Sequence, residues 1–228
     1  MPEPPRPGDT VQDMSESVQA GVRTGDGVHE HHGGFPVFTP VQAGPNYAEF
    51  VESLRRLQDL AVSTHVPDDV AARAIAQAEA LADLLEPYRV PEGRQPAGFN
   101  SDLPGRGSLL LLPWTFERRG AAGVRGRGMF RMFHRGGNGA AHGGTIGLLF
   151  DDLLGMIVHE AGHPIARTGY LHVNYRKVTP IETELAIEGR VDRVDGRKIY
   201  CTVELLDMDG TVLADCEALM IQLLPGQP

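Results

Sequence analysis

Only two cysteines, Cys201 and Cys216, occur in the chain, each inside an alternating, strand-like run and neither in a Cys-x-x-Cys arrangement. A disulfide framework and a zinc ribbon are therefore not expected, whereas buried thiols in a reducing compartment are. No stretch approaches the roughly 18 consecutive apolar residues that cross a bilayer. The opening stretch, MPEPPRPGDT, has neither a basic n-region nor an apolar h-region, so secretion is not expected and a cytoplasmic protein is. Positive charge is also scarce: 21 Lys and Arg against 30 Asp and Glu leave a net charge of −9. The basic footprint that general nucleic-acid binding needs is missing, although a few basic side chains could still hold a small anionic ligand. What is present is an ordinary globular composition, 41% hydrophobic and 22% charged over 228 residues. That suits one medium domain with an extension.

The chain changes character along its length. Residues 1–45 are rich in Pro, Gly, Ser and acidic residues and lack apolar periodicity, so they read as a disordered tail. The tail holds His29, Glu30, His31 and His32, but a polar tail offers a metal no preorganised geometry. Residues 46–90 read as a helical extension. Asn46 and Glu49 have capping-box spacing, and Phe50, Leu54, Leu57 and Ala61 recur on one face. Pro67-Asp68-Asp69 opens a second helix, with Ala71, Ala74, Ala78, Leu81 and Leu85 on its apolar side. Two such helices make an arm or a cap rather than a self-sufficient domain. Residues 91–107 are Pro/Gly-rich and read as a linker.

Residues 108–224 alternate like a sheet interrupted by one helix. Strand candidates are 108–118, 124–135, 168–177, 183–194, 197–207 and 211–223. Asp195-Gly196 and Asp209-Gly210, each between alternating runs, are hairpin signals. Between the second and third strands, Ile146, Leu149, Phe150, Leu153 and Leu154 form a helical stripe. The expected fold is α+β: a long central helix wrapped by a six-stranded antiparallel sheet, with an N-terminal helical extension.

Two chemical signatures compete inside this helix region. His159-Glu160-Ala161-Gly162-His163 spells H-E-x-x-H, which binds zinc only if both histidines share one face of a continuous helix. Gly162 and Pro164 flank the second histidine, so the helix is expected to stop before it. A third ligand is also required, and Thr168-Gly169-Tyr170 stand where an extended motif would place it. Glu182, Glu184 and Glu188 remain the only other proposals. No metal is expected.

The other signature is His142-Gly143-Gly144, with Asp151 nine residues after the histidine. A helix beginning at Gly143-Gly144 offers unpaired N–H groups and the positive end of its dipole to a carbonyl oxygen that gains charge. Together with the later Asn174-Tyr175-Arg176-Lys177 strand and the Gly196-Arg197-Lys198 hairpin, this segment resembles the hotdog-fold acyl-CoA thioesterases, the PaaI-like HGG branch in particular. The resemblance covers roughly residues 105–224.

That resemblance implies acyl-CoA thioester hydrolysis without a cofactor. Gly143 would be the main oxyanion donor with Gly144 beside it, His142 would shape the turn, and Asp151 would act as base or nucleophile. Thr168 would position the attacking water and Asn138 would bind near the thioester. The pairs Arg176-Lys177 and Arg197-Lys198 would hold the nucleotide end of CoA. Some relatives place a polar residue six before the histidine, where this chain has Gly136. Eight residues along a helix separate Gly143 from Asp151 by about 12 Å, at about 1.5 Å per residue. The resemblance therefore implies a homodimer, or a dimer of dimers, in which each site is shared across a two-fold axis.

Helical position alone does not choose Asp151 over Asp152, since both lie off the apolar stripe. Leu148 and Met156 are expected to line an acyl tunnel, and His172 to be a structural or interface histidine. A non-catalytic acyl-CoA-binding hotdog protein is the main alternative. A hotdog hydratase, which would pair a catalytic histidine with an acid in other motifs, and a zinc hydrolase stand behind it.

Overall fold

The central helix α3 (Gly143–Glu160) carries its stripe inward as expected. Ile146, Leu149, Phe150, Leu153 and Leu154 are all buried, and Ile157 and Val158 extend the stripe by one turn. The structure, a computed structural model, describes residues 39–118 and 120–227. The tail histidines His29, His31 and His32, with Glu30, lie outside the described residues. Before α3 come α1 (Tyr47–Ser63), α2 (Asp68–Leu85), β1 (Thr115–Arg118) and β2 (Val124–Gly128). After it come β3 (Ala166–Tyr175), β4 (Leu185–Asp195), β5 (Lys198–Leu206) and β6 (Val212–Gln222).

The six strands form one antiparallel sheet in the order β1-β2-β4-β5-β6-β3. Both hairpin signals are used: Gly196 turns β4 into β5 at φ +57, and Gly210 sits at φ +83 between β5 and β6. These are the left-handed values that glycine adopts without steric cost. On β5, Ile199, Cys201, Val203 and Leu205 alternate inward, and on β6 Ala214, Cys216, Ala218 and Met220 do so. This apolar face receives the α3 stripe and gives the hotdog fold its core. No helix among the described residues is long and apolar enough to cross a membrane.

The first two strands are shorter than the sequence suggests. Residues 108–114 make no strand. Pro113 lacks a ladder N–H, and Trp114 N–H turns back to the Leu112 carbonyl instead. Strand β2 stops at Gly128 because the chain beyond it winds into a 3₁₀ turn, Met132–His134. The apolar residues there still matter: Phe130 is fully buried and meets Trp114 edge to face at 5.9 Å.

The extension divides in two. Helix α1 is fastened to the domain, with Val51 and Arg55 buried. Its Asn46 makes no side-chain cap, because its own backbone is already helical and the first turn is closed by main-chain bonds to Gly44 and Asn46. Helix α2 starts after Pro67 as expected, yet buries none of its residues; Leu85 on its apolar side is 41% exposed. The Pro/Gly-rich segment between extension and sheet folds back on itself, with Gly98 N–H donating to the Arg106 carbonyl and Gly105 N–H to that of Trp114.

Arg55 is the main fastening. Its guanidinium is buried and donates to the carbonyls of Pro104 and Ser108 at 2.8 and 2.9 Å. Tyr47 adds a hydroxyl bond to the Gly107 carbonyl. Arg55→Met keeps much of the aliphatic packing but orphans both carbonyls. We expect a loss of about 2–4 kcal/mol from charge-assisted bonds of this kind, read as a lower urea midpoint with unchanged m-value. A midpoint equal to wild type would show that α1 is dispensable to the fold.

Candidate active site

The start of α3 is set by a tight turn and a side-chain cap. Asn138 and Gly139 both have positive φ, 54° and 72°, and Gly136 and Ala140 N–H groups close the turn against Ala140 and Gly137 carbonyls. This is the Asn-Gly pattern of a turn with two left-handed residues. Asn138 is thereby given a conformational role, and its side chain is exposed. The chain then passes through Ala141, whose N–H is held by the Thr179 carbonyl, to an extended His142 at φ −66°, ψ 132°.

His142 is the N-cap of α3. Its Nδ1 accepts the Gly144 N–H at 3.0 Å, and its own N–H donates to the His134 carbonyl at 2.8 Å. The two glycines therefore differ. Gly144 has spent its donor on the cap, whereas no acceptor among the described residues takes the Gly143 N–H. Gly143 is also crossed by Tyr175, whose hydroxyl donates to the Gly143 carbonyl at 3.0 Å. A Cβ added at Gly143 would sit 3.2 Å from that ring, so glycine is what lets the two meet. The result is one N–H without an acceptor among the described residues, at the positive end of an 18-residue helix.

Farther along α3 the two adjacent aspartates diverge. Asp151 is exposed and accepts a hydrogen bond from Thr168 Oγ1 at 2.8 Å. Thr168 lies on the edge strand β3 at a bulge between Thr168 and Tyr170, which re-aims side chains at that point. Asp152 instead forms a two-pronged ion pair with Arg106, at 2.6 and 3.1 Å, with its side chain 12% exposed. Arg106 reaches it from the Pro/Gly-rich segment, with its own backbone in the left-handed region at φ 51°. The carboxylate available to a ligand is thus Asp151. Leu148 and Met156 are half-buried against the core, and the Met156 sulfur touches Arg106.

The four basic residues split between opposite ends of the sheet. Arg176 and Lys177 follow β3 beside Tyr175, next to Ala214 in register; Lys198 pairs with Ile221 at the other end. The seven steps along β6 from Ala214 to Ile221 span ~23 Å at ~3.3 Å per residue, so no single phosphate group reaches both pairs. Arg176 is engaged by Asp215, which Arg176 and then Asn174 hold below its ordinary carboxylate pKa. Arg197 donates to the Gln222 carbonyl and to Gln227. Lys177 and Lys198 are exposed.

The competing histidine motif is not on one helical face. Helix α3 ends at Glu160, Gly162 turns the chain at φ +79°, and His163 lies beyond. His159 is 3.6 Å from Glu160. Among the described residues no group of three or more His, Cys, Asp or Glu is arranged to hold a metal. Cys201 and Cys216 are buried, and burial pushes both thiols up to about 12. His172 is exposed on β3 opposite Glu217.

Sequence reasoning missed Tyr175, Arg106 and His134. Tyr175 lies in the Asn174-Tyr175-Arg176-Lys177 stretch, where the sequence points to the cations and gives no sign that the ring reaches Gly143. Arg106 carried no signal, since a lone arginine among glycines and prolines predicts neither its backbone nor its partner.

Comparison with known proteins bears on the same part of the chain. The sequence profile of the thioesterase superfamily matches residues 138–214, the stretch from the turn before His142 into β6. Acyl-coenzyme A thioesterase THEM4 of Mus musculus is 29% identical over 92 residues, and that of Rattus norvegicus 30%. Each match covers 40% of this chain and 39% of the relative, so the aligned region is well under half the length of those proteins. A crystal structure of a thioesterase superfamily protein superposes with a TM-score of 0.69 at 24% identity, covering 82% of this chain and all of that one. The chain thus shares its fold with a solved thioesterase superfamily protein, and the stretch from residue 138 to 214 matches the thioesterase superfamily profile.

Proposed function

We propose that this chain hydrolyses acyl-CoA thioesters to a free acid and coenzyme A, and that it belongs to the PaaI-like branch. The observation that carries the reading is the contrast along α3: one unpartnered N–H at Gly143, and one exposed carboxylate at Asp151 already oriented by a hydroxyl. A thioester carbonyl seated at Gly143 would gain a donor that strengthens as its oxygen becomes an oxyanion. The second Asp151 oxygen remains free to take a proton from water. Water then forms the new C–O bond, the C–S bond breaks, and the sulfur leaves as thiolate to be protonated. If Asp151 attacks directly, its oxygen bonds to the acyl carbon as the C–S bond breaks, and water then cleaves the resulting anhydride to free acid and restores the carboxylate. Thr168 holds the carboxylate in either case.

The two groups lie about 12 Å apart along one helix, at about 1.5 Å per residue, so one protomer cannot apply both to one carbonyl. We infer a two-fold homodimer in which Asp151 works opposite the partner subunit's Gly143. Exposed Lys177 and Lys198 are the better placed of the basic residues for the CoA phosphates, because Arg176 and Arg197 already have partners. The names of the THEM4 relatives support the same chemistry.

The test is free-thiol release from acyl-CoAs of graded chain length, with calorimetry on the same ligands. Turnover supports the proposal; binding without turnover selects the non-catalytic acyl-CoA-binding reading; neither rejects both. Mixing two inactive variants, one altered at Asp151 and one at Gly143, should restore roughly a quarter of wild-type activity. Half the dimers are then mixed, and each mixed dimer has one intact site. No recovery would reject the shared site.

A further inference from the structure

Helix α1 is joined to the start of α3 by an unbroken run of hydrogen bonds. Asp59 on α1 uses both carboxylate oxygens on the segment after β2: Oδ2 accepts from Arg131 Nε at 2.7 Å and Oδ1 from the Phe133 N–H at 3.0 Å. Glu52, on the same helix, takes the other end of the Arg131 guanidinium at 2.7 Å. The Arg131 N–H then donates to His134 Nδ1 at 2.9 Å, closing the turn Met132–His134. The His134 carbonyl receives the His142 N–H at 2.8 Å, and His142 Nδ1 receives the Gly144 N–H at 3.0 Å.

The run is sheltered at the Arg131–Asp59 pair, whereas Glu52 is exposed. Arg131 and Asp59 side chains are 19% and 20% exposed. The His134 ring stacks edge-on against Phe130 and Phe133, at 6.3 and 5.8 Å. Burial holds this imidazole below its ordinary 6.5, against the pull of Asp59 and with the push of Arg131 and Arg55. Near neutrality its Nδ1 is therefore a lone pair, as the Arg131 N–H requires.

We propose that α1 positions the oxyanion site: Asp59 and His134 fix the His142 main chain, and His142 in turn removes the Gly144 donor and leaves Gly143 alone facing the substrate. They are positioning residues, acting through His142 without touching a substrate. An extension that elsewhere would be an appendage becomes part of the active-site support, in the sense that a site is only as precise as the shell behind it. The kinetic consequence rests on the thioesterase reading above; the structural coupling does not.

The test uses the full chain as wild type, Asp59→Ala, His134→Ala and His134→Asn. Asparagine places an acceptor oxygen where His134 has Nδ1, so it restores the link without the ring. Amide hydrogen exchange is followed over residues 142–146 and 149–157, with kcat and KM for an acyl-CoA. In both alanine variants, exchange over 142–146 should quicken about tenfold while the helix interior keeps its protection. Their kcat should fall about tenfold with KM changed less than about twofold, as expected for a misplaced transition-state donor. His134→Asn should recover most of both. Should the alanine variants not fold, Asp59→Asn, which keeps the acceptor for Phe133, carries the measurement.

Unchanged exchange, exchange that rises uniformly through α3, a His134→Asn variant no better than alanine, or faster exchange with an unaltered kcat would each overturn the proposal. A wild type that turns over no acyl-CoA would sink the thioesterase reading, while the exchange data would still decide the coupling.

Discussion

Asp151→Ala is expected to lower kcat by about 10³-fold, within the range for loss of a positioned general base or nucleophile. The carboxylate has no ion pair among the described residues and is exposed, so its removal leaves no buried charge stranded. Stability should therefore change little, and the loss should fall on chemistry. KM and calorimetric CoA affinity should stay within about twofold, because the group is assigned to a step that only the transition state feels. Asp151→Asn keeps an acceptor for the Thr168 hydroxyl and loses the basicity. It should be as inactive as alanine. The adjacent Asp152→Ala is the control: it frees Arg106 of the Pro/Gly-rich segment, but its carboxylate is already committed to that ion pair. Thiol release that is equal in wild type and Asp151→Ala would remove Asp151 from the mechanism.

Gly143→Pro is expected to cost about 10²–10³ in kcat, the range found when one oxyanion donor is deleted. This substitution is unusually clean on geometric grounds. Gly143 is the first helical residue, where proline's fixed φ suits the helix and its missing N–H breaks no helical bond. His142, at ψ 132°, already has the extended conformation that proline demands of its predecessor. The proline ring must still push the Tyr175 side chain, since a Cβ would meet it at 3.2 Å. Gly143→Ala imposes the same crowding but retains the N–H, so the difference between the two variants isolates the donor. If proline and alanine lose activity equally, the Gly143 amide does not face the developing charge.

The sequence made the architecture legible where local chemistry and global packing agreed. The helix stripe from Ile146 to Leu154 and the two Asp-Gly turns needed no long-range information. The early strands were misjudged because apolar content alone does not make a ladder: Leu109 to Leu112 are followed by a proline, and Phe130 is buried without being in a strand. At the site, the helix start and Asp151 could be named from spacing and resemblance. Helical position alone could not separate Asp151 from Asp152, because their surroundings are set by Thr168 and Arg106. One lies 46 positions before Asp152, and the other is 17 positions after Asp151. The division of labour between Gly143 and Gly144 was likewise invisible, since it depends on which way one imidazole turns. Each of these is a tertiary fact, settled by who reaches whom.

The inertness of Cys201 and Cys216 has a practical side. A thiol raised to about 12 by burial supplies almost no thiolate at neutral pH, and alkylating reagents attack the thiolate. The natural chain thus comes ready for single-site labelling: one surface cysteine introduced on α2 can carry a dye or spin probe, with both native sulfurs left in place.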